Sequence, residues 1–400
     1  MFWLRKKNHP KMILSKKQKI FFISHDCSLT GAPVLLLNLL SLVSKKNNFD
    51  IQIVLVRGGV LEKEFLKYGK VTILKSKNYS RQKFILLRSA NYIIYRFKLL
   101  LLNSRLKKTD VIFSNTIVNG KVVKYLSKTE ATILTYVHEL ESIIKEFHED
   151  ANLTFQFSDV YISPSKAVAE NLVEKHSVAA EKIFFLNYYF PIPVDLFQKM
   201  SKMDAKEKFK KYLQFSENKF YVVGMGVGSF RKGIDLFIDA AQITNELKQN
   251  IHFVWIGELV EEKMKSEILN KIATYQLQNT VTITGQLPYS LNNLLPFDLF
   301  ILPSREDPYP LVILEAALMK IPSVCFANTG GIQEFVGKDC GWVVDEVSPK
   351  KLSEKIIEIK NNPAEIQKRG ENAFKKCIEL HTDEDLIYSQ FETIIEKQTI

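Results

Sequence analysis

Four hundred residues, 46% apolar and 25% charged, exceed one ordinary core and suit two domains of similar size in a soluble globular chain. Four scattered cysteines (Cys27, Cys325, Cys340 and Cys377) with no CxxC pair exclude a disulfide framework and a zinc site, and make a reducing cytoplasm the natural compartment. The net charge of +11 is uneven: residues 1–200 hold 31 Lys and Arg against 16 Asp and Glu, the remainder 24 against 28, so the first half suits an anionic partner.

That partner is a membrane surface or an anionic acceptor, and a general solubilising Lys bias is the plain alternative. Nucleic acid is not expected, because no binding module such as a zinc finger or RNA-recognition signature is present. Residues 1–18 form a basic extension without the apolar stretch of a signal peptide. No run of 18 apolar residues occurs; the longest candidate, Phe84 to Leu102, is interrupted by Arg88, Arg96 and Lys98.

In chain order, Lys19–Ser24 reads as a strand, Ala32–Lys45 as a helix and Ile51–Arg57 as a second strand. Ser80 to Lys108 is a basic amphipathic stretch, either an interfacial helix against anionic lipid or a core helix with a solvated basic face. Strands follow at Val111–Ser114, Thr132–His138 and Val160–Ser163, then a helix over Ser165–His176. The proline-bearing segment NYYFPIPVDLF breaks the pattern, which places a first domain at 19–190 and a linker at 191–216.

A second series fills 217–380, with strands at Phe220–Met225, Ile251–Ile256, Val281–Thr284, Leu299–Leu302 and Ser323–Phe326. Helices over Asp235–Lys248, Glu261–Tyr275 and Leu311–Lys320 alternate with them. Residues 381–400 make a last helix expected to pack back on the first domain. The fold class is therefore α/β, two Rossmann-like doubly wound domains facing a cleft, with ligands at the C-terminal strand ends.

The most informative stretch is PSREDPYPLVILEAALMKIPSV. A buried strand ends at Pro303, a polar loop follows, and a helix opens near Pro310, where a missing N–H costs nothing. The free amides of Leu311 and Val312 can then bind an anion such as a diphosphate. Asp307 before the helix and Glu315 one turn inside it can face one cleft. Their plain readings are a helix cap for Asp307 and a solvated helix position for Glu315.

This stretch resembles the E-x7-E motif of the group 1 (GT4-like) retaining glycosyltransferases, whose fold is GT-B. Glu315, Ala316 and Pro322 match; Asp307 stands in place of the first glutamate, and Pro308 and Pro310 replace two glycines. Donor contacts at this loop then fall to the Tyr309, Leu311 and Val312 amides, and Glu306 is a substitute acid if the loop shifts. VGMGVGSFRKGIDLF resembles the family's basic turn, with Arg231 and Lys232 present and Val227 where many members carry an arginine. Its G-x-G-x-G spacing is a poor match to a dinucleotide fingerprint. Thr30-Gly31 resembles the phosphate-covering loop, YVHEL the segment bearing a cleft histidine (His138), TGGIQEFV the loop with Gly330, Gly331 and Glu334, and Val194–Phe197 the signature after the linker.

The resemblance implies a nucleotide-sugar donor and a glycan or lipid-linked acceptor hydroxyl, with retention at the anomeric carbon and no metal or other cofactor. Gly31, Arg231, Lys232, Leu311 and Val312 would hold the donor phosphates. Asp307, Tyr309 and Glu315 would meet sugar or ribose, and His138 would contact the donor and act as a proton donor near neutral pH. Asp383-Glu384-Asp385 mimics a metal-binding DxD but reads as the acidic start of the last helix. The implied setting is cell-surface glycan or glycolipid synthesis, at the cytoplasmic side of a membrane with peripheral contact to anionic lipid. A nucleotide-sugar epimerase and a non-catalytic partner subunit are the other readings.

Overall fold

The computed structural model describes residues 17–76, 85–192, 202–209, 212–216, 218–288 and 291–398. The basic extension up to residue 16, residues 193–201, 210 and 211 of the 191–216 linker, and with them the Val194–Phe197 signature, lie outside them.

Seven strands form the first sheet: β1 Gln18–Ser24, β2 Phe49–Arg57, β3 Lys70–Lys75, β4 Val111–Ser114, β5 Thr132–Tyr136, β6 Val160–Ser163 and β7 Ile183–Phe185. Their order is β3-β2-β1-β4-β5-β6-β7, every pair parallel. The second sheet holds β8 Phe220–Met225, β9 Ile251–Ile256, β10 Val281–Ile283, β11 Leu299–Leu302, β12 Ser323–Phe326 and β13 Gly341–Val344. It runs β10-β9-β8-β11-β12-β13, again all parallel.

Strands buried on both faces explain the short apolar runs: β4, β6, β11 and β12 have no accessible position at all. The expected strand over Thr132–His138 ends earlier, at Tyr136, although the Val137 amide still donates to the Ile162 carbonyl at 2.9 Å. The sequence reading did not set out β3, β7 and β13, which lie at sheet margins.

Strand order reverses between β1 and β4 and between β8 and β11. Those two crevices are the switch points where doubly wound sheets bind ligands.

One apolar cluster runs through both domains, from Phe22 and Phe113 through Tyr188, Tyr189 and Phe190 to Tyr309 and Leu314. The last helix, Glu384–Glu396, lies on the first domain. Phe391 packs against Phe22, Phe49 and Phe113, while Lys45 and Lys46 bind Glu384 and Asp385. Among the described residues, no helix is long and apolar enough to cross a membrane.

Candidate functional site

The β8–β11 crevice gathers the second domain's candidates. The turn after β8 carries Arg231 and Lys232; the loop after β11 carries Ser304 to Pro310. Lys232 Nζ donates to Asp307, and the Ser304 hydroxyl donates to the same carboxylate at 3.3 Å. Two residues expected to serve phosphate and sugar separately are thus one buried ion pair, Asp307 being 5% exposed. Arg231 donates to the Glu306 carbonyl at 2.8 Å. Arg305 is committed elsewhere: it grips Asp235 through two bonds of 2.8 and 2.6 Å and lies 3.7 Å over the Phe230 ring.

The helix Leu311–Leu318 begins after Pro310, which is its N-cap and offers no side-chain acceptor. Asp307 therefore does not cap it. The leading Leu311 and Val312 amides have no acceptor within the helix and face the crevice with its dipole. Glu315 is 7% exposed, so it is not a solvated helix position.

Gly330 and Gly331 let the loop around Asp307 close up. Gly330 sits at φ +136°, and a Cβ there would lie 1.7 Å from the Asp307 carbonyl oxygen. A Cβ on Gly331 would lie 2.3 Å from Ser165 Cβ, across the domain boundary. Three polar hooks hold the domains together beside this loop. Glu334 accepts from the Lys166 and Ala167 amides, both at 3.0 Å, at the start of the helix Lys166–His176. The Ser165 hydroxyl donates to the Pro308 carbonyl at 3.1 Å. Glu306 accepts the Ser142 amide at 3.0 Å and the Ser142 hydroxyl. Glu306 is therefore an interdomain hook in this structure, not the substitute sugar-facing acid.

Across the cleft, Gly31 opens the helix Gly31–Lys46. A Cβ on Gly31 would sit 3.9 Å from Leu311 Cδ1, so two helix N-termini of different domains converge on one space. Two such ends, with Arg231 and Lys232 beside one of them, suit a multiply charged anion.

His138 follows β5, one strand beyond the other switch point, and its protonation can be derived from its neighbours. The Ala32 carbonyl only accepts, so the Asn115 NH2 must face it, at 2.7 Å. Asn115 Oδ1 then faces His138 Nε2 at 3.1 Å, and that nitrogen carries the hydrogen. Burial, with His25 adding repulsion, pushes the His138 pKa down to about 3. The ring is neutral, Nδ1 is bare, and the Tyr188 hydroxyl donates to it at 3.0 Å. The expected role as a proton donor near neutral pH is corrected accordingly: the ring holds no titrating proton there, and both nitrogens are already bonded within the protein.

Tyr188→Phe should leave Nδ1 unsatisfied at a cost of about 1–3 kcal/mol, while Asn115 still holds the hydrogen on Nε2. The expected result is a lower melting temperature and a changed nitrogen NMR shift for His138 Nδ1. An unchanged shift would show that Tyr188 does not set the ring.

Tyr309 keeps its backbone amide for a donor contact, but its phenol is committed within the protein. Its side chain is buried, with the hydroxyl 3.0 Å from His381 Nε2 and the ring edge-on to Tyr188 at 5.6 Å. Burial pushes its phenol pKa far up and lowers that of His381 to about 4. Only the Tyr309 backbone remains for a ligand. Asp383 accepts from the Asp385 and Leu386 amides as an N-cap, and Glu384 and Asp385 bind lysines of the first helix. All three members of the apparent DxD are thus occupied in placing the last helix.

Sequence reasoning missed Asn115, Tyr188, Glu139 and His25. Glu139 is buried beneath His138, accepts from the Thr116 hydroxyl and from the His138 amide at 2.9 Å, and burial raises its pKa to about 7. His25 has a buried Nδ1 with no hydrogen-bond partner among the described residues, just beyond β1. The available signal was position: His25 and Asn115 each follow a switch-point strand.

Comparison with known proteins agrees with this geometry. The family model described as glycosyl transferases group 1 matches residues 205–376. The putative teichuronic acid biosynthesis glycosyltransferase TuaC of Bacillus subtilis is 30% identical over 122 residues, 26% of this chain and 31% of the relative. The alpha-galactosylglucosyldiacylglycerol synthase of Streptococcus pneumoniae is 29% identical over 182 residues, 42% of this chain and 45% of the relative. These matches thus span less than half the length of either relative. Anabaena HepE, solved with UDP and glucose, superposes with a TM-score of 0.76 at 18% identity, over 94% of this chain and 99% of its own. Its shared architecture is GT-B, two parallel-sheet α/β domains. Residues 205–376 thus match the group 1 glycosyl transferase model, and the chain as a whole has the GT-B fold.

Proposed function

We propose that the chain transfers a sugar from a nucleotide-sugar donor to an acceptor hydroxyl in cell-surface glycan or glycolipid synthesis. The carrying observation is the convergence of the helix N-termini at Gly31 and Leu311 beside Arg231 and Lys232. That arrangement suits the diphosphate of such a donor, and the names of TuaC and the diacylglycerol synthase support the setting.

In the retaining course, the acceptor oxygen bonds to the anomeric carbon on the face from which the diphosphate departs. The carbon–oxygen bond to phosphate breaks, and a diphosphate oxygen takes the acceptor proton. Arg231, Lys232 and the Leu311 and Val312 amides stabilise the charge that develops on the leaving group, which is the electrostatic task a metal performs elsewhere. Metal independence belongs to this proposal. For Lys232 to reach phosphate, its bond to Asp307 must yield, which frees Asp307 for a sugar hydroxyl. Glu315 would take the ribose. The lysine-rich first half supports work at the cytoplasmic face of an anionic membrane.

A thermal-shift screen over nucleotide sugars tests the reading. One or more should raise the melting midpoint of the wild type, and Glu315→Ala should remove that shift. Turnover of the donor alone to an epimer would replace transfer with epimerisation. If no nucleotide sugar shifts the midpoint and Glu315→Ala changes nothing in the cell, the chain is a non-catalytic subunit.

A further inference from the structure

We propose that the helix Ile85–Arg105 and strand β3 form a docking surface for an anionic bilayer leaflet, with a lipid headgroup phosphate held between Lys98 and Arg105. This deepens the anionic-membrane part of the function above and is independent of sugar transfer. Its first support is charge: from Phe65 to Thr109 the chain has twelve Lys and Arg and no Asp or Glu.

The second support is the helix itself. Tyr95, Leu99 and Leu102, spaced by four and three residues, face the core of the first domain beside Leu74 and Ala131. A second apolar stripe, Ile93, Ile94, Phe97, Leu100 and Leu101, points the opposite way and is between 40% and 66% exposed. A helix on a soluble domain normally has one apolar stripe; a second, bare one marks an interaction surface.

Cations border that stripe on both sides. Arg96 lies on one edge, over the Tyr125 ring at 5.3 Å. On the other edge Lys98 and Arg105, seven residues and two turns apart, border a groove of about 380 Å³ floored by Val71, Thr72 and Ile73. Among the described residues Lys98 spends one of its three donors on the Ile73 carbonyl at 2.7 Å, which leaves two for an anion. An apolar ridge entering the acyl boundary beside two cations at headgroup depth is the arrangement of an interfacial helix. A protein partner would need an acidic rim around an apolar groove; a leaflet supplies negative charge and hydrocarbon together, on a surface that needs no further fit.

The full chain should float with phosphatidylglycerol–phosphatidylcholine vesicles and not with phosphatidylcholine alone. Phe97→Ser with Leu101→Ser, and separately Lys98→Gln with Arg105→Gln, should each weaken binding about tenfold or more at unchanged melting temperature. Lys107→Gln with Lys108→Gln removes the same charge outside the groove and should weaken it far less. If this control pair matters as much as the groove pair, attraction is diffuse and the headgroup site is wrong, while membrane contact stands. If the wild type ignores anionic vesicles at low salt, or binds neutral ones equally, both the site and the membrane reading fall. Transfer to a soluble acceptor, measured in parallel, keeps the enzymatic reading separate from either outcome.

Discussion

Lys232→Ala should lower kcat/KM for transfer by about 10²–10³ and also destabilise the fold, and the two effects can be separated. The catalytic loss follows from removing a cation placed for the departing diphosphate. The stability loss has another origin. Asp307 is buried, and without Lys232 the Ser304 hydroxyl is the side-chain partner left to it among the described residues. A buried charge left without its counter-ion costs about 3–5 kcal/mol.

The double variant Lys232→Ala with Asp307→Ala removes both charges together. It should recover most of the stability and none of the activity, a non-additivity characteristic of groups in contact. Urea melts and steady-state kinetics on the three proteins decide the matter. Recovery of activity in the double variant would make the lysine a structural counter-ion and would remove it from the donor site.

Gly330→Ala should be the most damaging small substitution in the donor loop. Its φ of +136° is strained for any L side chain, and the new methyl would press into the Asp307 carbonyl at 1.7 Å. Neither atom can yield cheaply. Both are tied by backbone pairing, since the Asp307 amide donates to the Thr329 carbonyl at 2.7 Å. Strain of this kind costs about 1–3 kcal/mol before any clash is added, so the total should exceed that range. The Asp307 loop would be displaced, and nucleotide-sugar binding measured calorimetrically should vanish even in the fraction that stays folded. Gly31→Ala separates strain from crowding: its methyl would meet Leu311 Cδ1 at 3.9 Å, an ordinary contact, so the fold should keep its stability while the donor space narrows. Normal donor affinity in Gly330→Ala would show that this loop does not touch the donor.

The sheets were readable because their strands are buried on both faces and interrupted by glycine and proline. Periodicity and punctuation carry that information directly. The donor loop was readable for a different reason, since a strand end, a polar loop and a proline-led helix are adjacent in sequence. What could not be read is every contact between segments distant in sequence. Lys232 and Asp307 are 75 positions apart, as are Arg231 and Glu306, and nothing local announces either contact.

The side chains of Tyr309 and His138 are claimed by distant partners in the same way. The sequence shows an aromatic residue in a donor loop and a histidine at a strand end, and both residue types suit a ligand. Whether they meet one depends on His381 and Tyr188, which arrive from distant segments and claim the polar atoms first. Glu306 looks like a site acid in a one-dimensional motif, yet it binds a backbone amide of the other domain, as Glu334 does in a loop read as shaping the cleft.

The return of the last helix to the first domain alters what counts as a transplantable unit. Phe391 fills a space framed by Phe22, Phe49 and Phe113, and Glu384 holds both Lys45 and Tyr189. A contiguous segment ending near residue 190 would leave that aromatic floor open to water. Anyone exchanging first domains between relatives to alter acceptor choice must therefore move two separated pieces of chain, the first 190 residues and the final helix, as a matched set.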